Sequence, residues 1–176
     1  MKTRTALVLI DTQVSMFDPA SPVSGAEELL MRLTDLVSRS RAAQVPVVFV
    51  RNCGGPGDPD VKGSAGWELH PALQHVAGGE MVVDKTTCDA FASTPLDDNL
   101  KALGVTDLIL AGLQSEYCIR ETTLGALSCE YAVTLVSDGH STYDSEGQIA
   151  HERSAAVNTE LRGQVKLVCA QEVSFQ

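Results

Sequence analysis

The stretch DLILAGLQSEYCIRETTLGAL, residues 107–127, decides the fold. It opens on an apolar run without polar alternation, Asp107–Gly112, the pattern of a strand buried on both faces. It closes on a helical pattern that starts near Cys118, with Gln114, Ser115 and Glu116 in the turn between. A buried strand feeding a helix is the repeating unit of a parallel sheet. Working outward, similar runs recur at 6–10 (ALVLI), 45–50 (VPVVFV), 81–83 (MVV), 132–137 (AVTLVS) and 165–170 (VKLVCA). Between them lie helical patterns. One over 24–44 puts Ala26, Leu29, Leu30, Leu33, Leu36 and Val37 on one face. One over 94–104 has Thr94 as cap and Gly104 as stop. One over 146–162 has Ser145 and Gln148 spaced for a capping box. The order predicts an α/β chain: a three-layer αβα Rossmann-like fold on a six-stranded parallel sheet, with the strand order 3-2-1-4-5-6. The stretch from 51 to 79, rich in Gly, Pro and Asp, breaks the rhythm and reads as a long loop of the kind that often carries function.

With 176 residues the chain fits one domain, 1–176. A net charge of -10 argues against nucleic acid and against anionic membranes as partners. No apolar run reaches the roughly 20 residues that span a bilayer. The start, MKTRTALVLID, reads as a strand rather than a signal peptide. Five cysteines without CxxC spacing read as a reducing, cytoplasmic chain, with neither a disulfide framework nor a zinc site.

Sites in open parallel sheets form beyond the carboxyl ends of the strands. There the sequence places Asp11 and Gln13, then Arg51 and Asn52, then Asp84 and Lys85, then Gln114, Glu116 and Cys118, and last Asp138 and His140. A carboxylate, an amine and a thiol form one coherent set. Cys118 at a helix start beside Lys85 would be favoured as a thiolate. Asp11 would take the thiol proton and pass it to a leaving amine. Backbone N–H groups of the 114–118 turn would form an oxyanion hole. The residues alone leave bland readings open: a packed cysteine, a turn-forming Asp11, a solvated Lys85.

Three longer segments, ALVLIDTQVSMFDP, VVDKTTCDAFASTPLDDNLKALGV and LILAGLQSEYCIRETTLGAL with YAVTLVSDGHST, resemble the isochorismatase-like cysteine hydrolase superfamily. That superfamily includes nicotinamidases, N-carbamoylsarcosine amidohydrolases and streptothricin hydrolases. The resemblance implies a catalytic triad of Asp11, Lys85 and Cys118 and a thioester intermediate. It implies a cis peptide between Leu113 and Gln114, which aims the Gln114 amide into an oxyanion hole beside that of Cys118. It also implies a small-molecule amide or lactam substrate and a homo-oligomer, dimer or higher. The wording of GLQSEYC and SDGHST leans toward the streptothricin-hydrolase branch.

Departures from the pattern matter as well. The region after the second strand has Asp58, Asp60 and His70 but lacks the Asp-x-His of metal-containing nicotinamidases, so neither metal nor other cofactor is expected. Phe17, Trp67, Phe91 and Tyr117 are candidates for pocket walls, and Gln13 and Glu116 for holding a polar or cationic substrate group. Each reads equally as packing or as a solvated turn. His140 reads as a hydrogen-bonding support. The alternatives kept open are a nicotinamidase-type amidase and a non-catalytic or redox-sensing member of the fold.

Overall fold

The computed structural model describes residues 4–145 and 147–175. Six strands form its sheet: β1 (Thr5–Ile10), β2 (Val47–Asn52), β3 (Met81–Lys85), β4 (Asp107–Leu113), β5 (Ala132–Ser141) and β6 (Lys166–Val168). All neighbours pair in parallel in the order β3-β2-β1-β4-β5-β6. The expected topology is therefore the observed one. Four helices connect them: α1 (Ala26–Ala42), α2 (Leu96–Ala102), α3 (Arg120–Ser128) and α4 (Ala150–Leu161).

The unbroken apolar strands reflect two cores. In β1, Ala6, Val8 and Ile10 face one side, where Leu96 and Leu100 of α2, Ala126 of α3 and Val157 and Leu161 of α4 cover them. Leu7 and Leu9 face the other side, against Leu29, Leu33, Leu36 and Val37 of α1. Burying each such side chain contributes about 1.5–3 kcal/mol. Both faces of the sheet are thus covered, which gives the three layers.

Two local readings are corrected. The fourth helix was expected from 146, but α4 begins at Ala150, whose N–H is capped by Asp144 Oδ1 at 2.7 Å. Ser145 and Gln148 instead exchange backbone hydrogen bonds as a small bridge, so they form no capping box. Residue 146 lies outside the described residues. The segment after β2 is more ordered than its composition suggested. It carries short 3-10 turns at Ala65–Trp67 and Pro71–Leu73 and is pinned by bridges Gly54–Val61 and Gln13–Leu69. Among the described residues, no helix is long and apolar enough to cross a membrane.

Candidate active site

The carboxyl ends of β1, β3 and β4 converge. Asp11 follows β1 in a left-handed conformation, φ 51°, which aspartate tolerates better than most residues. Its side chain is fully buried. Lys85 ends β3, also buried, and its Nζ lies 2.9 Å from Asp11 Oδ2 and 3.2 Å from Cys118 Sγ. A third partner, Asn52 Oδ1 at the end of β2, accepts from the same ammonium at 3.3 Å. Asp11 Oδ1 is buried with no hydrogen-bond partner among the described residues.

Cys118 sits in a single π-helical turn, Ser115–Ile119, that runs straight into α3. The Leu113–Gln114 peptide at the start of this turn is cis. The Gln114 carbonyl accepts from the N–H groups of Tyr117 (3.3 Å) and Ile119 (3.1 Å), and not from that of Cys118 between them.

The electrostatics differ from the sequence reading. A helix start and Lys85 were expected to favour the thiolate. In the structure burial and then the Asp11 carboxylate push the Cys118 thiol up, and Lys85 only partly opposes them. Burial likewise raises Asp11, against the pull of Lys85. Burial alone would lower Lys85, but Asp11 and Cys118 outweigh it and the ammonium is held above its usual range. One cation thus compensates one negative charge. Burial disfavours a negative charge on either Cys118 or Asp11, and Lys85 favours one on each. Moving the thiol proton to Asp11 leaves the net charge of the cluster unchanged.

Gln13, a candidate for holding substrate, is a buried tie. Its Nε2 donates to the carbonyls of Asn52 (3.0 Å) and Trp67 (2.9 Å), and its Oε1 accepts from the Asn52 N–H (2.7 Å). Trp67 stacks on the Arg51 guanidinium, 3.5 Å from the ring centroid, and donates to Cys53 Sγ. Glu116 is also committed: its Oε1 pairs with Arg153 at 2.5 Å and accepts from Thr142 Oγ1 at 2.9 Å. All three are thus held by contacts within the chain. Phe17 is buried edge-on against His70, 5.1 Å between centroids. Phe91, half-buried against Tyr131, borders the same core as Cys118. Tyr117 is half exposed. Gly125 and Ala126, small enough for helix packing between chains, are used internally, Gly125 against Asp89 and Ala126 in the core.

Among the described residues, no three His, Cys, Asp or Glu side chains gather as a metal-binding group. Asp58 accepts from the Gly55 N–H, Asp60 from Asn52 Nδ2, and His70 Nδ1 from the Ala72 N–H. Asp58 and His70 make turn contacts, and Asp60 ties its loop to the end of β2. Sequence reasoning missed the contact of Asn52 with Lys85, at which only its place at a strand end hinted. It read His140 as a hydrogen-bonding support, and the structure gives its partner as Ser115, at 2.8 Å.

The isochorismatase domain model matches residues 5–162. A streptothricin hydrolase of Streptomyces noursei is 41% identical over 139 residues, 79% of this chain and 55% of that protein. The chain thus spans about half the length of that relative. The ureidoacrylate amidohydrolase RutB of Methylobacterium radiotolerans is 28% identical, over 89% of this chain and 73% of its own length. An isochorismatase of Pseudomonas putida KT2440 shares the fold, with a TM-score of 0.89 at 24% identity, over 97% of this chain and 90% of that one.

Proposed function

The chain belongs to the isochorismatase domain family, and from that premise we propose that it is a cysteine hydrolase of a small-molecule C–N bond, amide or lactam. The observation that carries this reading is Lys85 Nζ within bonding distance of both Asp11 and Cys118. Relatives named for amide hydrolysis support it. The 41% identity to a streptothricin hydrolase makes streptothricin the first substrate to test.

In the proposed cycle Cys118 Sγ attacks the substrate carbonyl as its proton passes to Asp11. The oxyanion is met by the backbone N–H groups of Gln114 and Cys118. Asp11 returns the proton to the leaving nitrogen, the C–N bond breaks, and a thioester remains. Water then attacks the thioester, giving a proton to Asp11, which hands it back to the sulfur as the acid product leaves. Lys85 keeps its proton throughout and holds the charge of whichever partner is ionised. No step draws on a metal. Phe91 and Tyr117 remain as proposed pocket walls, and assembly as a homo-oligomer belongs to the same proposal.

The test is a panel of streptothricin, ureidoacrylate and nicotinamide followed by mass spectrometry for the hydrolysed product. The expected result is turnover of one member, lost in Cys118→Ala with the fold intact. Equal turnover by Cys118→Ala would overturn the proposal.

A further inference from the structure

Behind the turn that carries Cys118 lies a closed chain of polar side chains. Ser115 Oγ is 2.8 Å from His140 Nδ1 and 2.8 Å from Ser154 Oγ of α4. His140 Nε2 is 3.1 Å from Asn158 Oδ1, and Asn158 Nδ2 donates to the Ser137 carbonyl at 2.9 Å. Ser115 and His140 are both buried.

The direction of every bond in this chain is fixed from its far end. The Ser137 carbonyl can only accept, so Asn158 turns its Nδ2 toward it and its Oδ1 toward His140. An amide oxygen can only accept, so His140 Nε2 carries a proton. Burial holds the imidazole below its usual pKa, so Nδ1 is bare and accepts from the Ser115 hydroxyl. Ser115 has then spent its one proton, and Ser154 must donate to it.

The backbone is bent to build this contact. The pairing of β4 with β5 passes from Leu110–Leu135 to Gly112–His140, so four residues of β5, 136–139, stand against one of β4, and β5 bulges there. Gly139 permits the bulge, because a Cβ there would lie 2.7 Å from Val136 Cγ1. The bulge delivers His140 beside Gly112, level with the start of the nucleophile turn.

We propose that His140, oriented by Asn158, is a positioning residue that locks Ser115 and thereby aims the Gln114 and Cys118 N–H groups at the substrate oxyanion. This rests on the cysteine-hydrolase reading above. It assigns His140 no contact with substrate. The consequence is selective: the relay serves attack on a carbonyl, where an oxyanion forms, and not displacement at a saturated carbon, where none does.

Two reagents separate these. p-Nitrophenyl acetate acylates a cysteine through an oxyanion, the thiol proton passing to Asp11 as p-nitrophenolate leaves. Iodoacetamide alkylates the same sulfur by displacement of iodide. In Ser115→Ala and in Asn158→Ala, acylation of Cys118 is expected to slow roughly tenfold to a hundredfold while alkylation stays within about threefold. An unchanged ratio of the two rates, or both rates falling together, would overturn the relay. Absence of acylation at Cys118 in the unmodified protein would instead overturn the hydrolase reading and the relay with it. A second measurement needs no variant. The ¹⁵N shifts of His140 in the intact protein are expected to report a protonated Nε2 and a bare Nδ1 near neutral pH. The opposite tautomer or an imidazolium would overturn the proposal.

Discussion

At Cys118 two opposing effects meet in one place. Burial and Asp11 resist ionisation of the thiol, and Lys85 favours it. An ionised sulfur beside an ionised Asp11 would set two negative charges against the one ammonium of Lys85. In the proposed cycle one proton is shared between sulfur and carboxylate. The pH dependence follows from the signs. Asp11 must be ionised to accept the thiol proton, and its pKa is raised by burial. Thus kcat/KM is expected to fall in acid with an apparent pKa above the ordinary aspartate value of about 3.9. Lys85 is raised, so loss of its proton should impose no alkaline fall below about 10.4. A pH–rate profile on any turned-over amide checks both limbs. Asp11→Asn removes the base and is expected to lower kcat by about 100-fold or more, read as acyl-enzyme formation. The convergence of Asp11, Lys85 and Cys118 was legible because Asp11 and Lys85 stand at the ends of apolar strands and Cys118 in the turn after a third. The roles of Gln13, Trp67 and Glu116 were not, because their partners Asn52, Arg51 and Arg153 are distant in sequence. A polar side chain near a site looks the same in a sequence whether it is free or spoken for.

The elements that carry the site depend on close backbone approaches. Gly112, near the end of β4, has φ 128°, and a Cβ there would sit 2.1 Å from the Ile10 carbonyl oxygen of β1. β1 and β4 bring Asp11 and the nucleophile turn together, so this contact sets their spacing. Gly112→Ala must separate the two central strands. It is expected to cost more than about 4 kcal/mol, seen as a large drop in melting temperature or loss of soluble protein. The sequence shows a glycine at the end of an apolar run, which reads equally as a strand stop. The β5 bulge was hidden for a similar reason. AVTLVSDGHS contains a clear apolar strand up to 137, and the polar remainder reads as loop, yet pairing resumes at His140. The helix expected over 94–104 is α2, Leu96–Ala102, with Leu96 and Leu100 buried as expected; Pro95 rather than Thr94 takes the cap position, and the Thr94 hydroxyl accepts from the Leu96 N–H one step outside it.

Across the whole molecule, the parallel sheet with helices on both faces followed from the alternation of strands and helices, and its two cores from strands apolar on both faces. The long connection between β2 and β3 was unreadable because side-chain clamps rather than pattern hold it. One clamp ties its end to α1. Arg41 Nε and Nη2 pair with Glu80 Oε1 and Oε2 at 2.8 and 2.9 Å, and Arg41 also donates to the Leu73 and Gln74 carbonyls. Burial alone would raise the Glu80 carboxyl, but Arg41 and the Val76 N–H outweigh it and hold it below its usual range. A depressed pKa contributes stability that is present above the unfolded value, about 4.3, and is lost as pH falls through the folded one. Glu80→Gln is expected to cost about 1–2 kcal/mol at neutral pH by urea unfolding. The gap should narrow in acid; a gap independent of pH would contradict the ion pair. The central claim for the molecule, that Cys118 is a nucleophile served by Asp11, has a more direct test. The protein is mixed with limiting p-nitrophenyl acetate, quenched, and weighed intact before the adduct is mapped. The account predicts one acyl group, on Cys118, formed far more slowly in Asp11→Asn. Acylation spread over the exposed Cys88 and Cys169, or undiminished in Cys118→Ala, would contradict it.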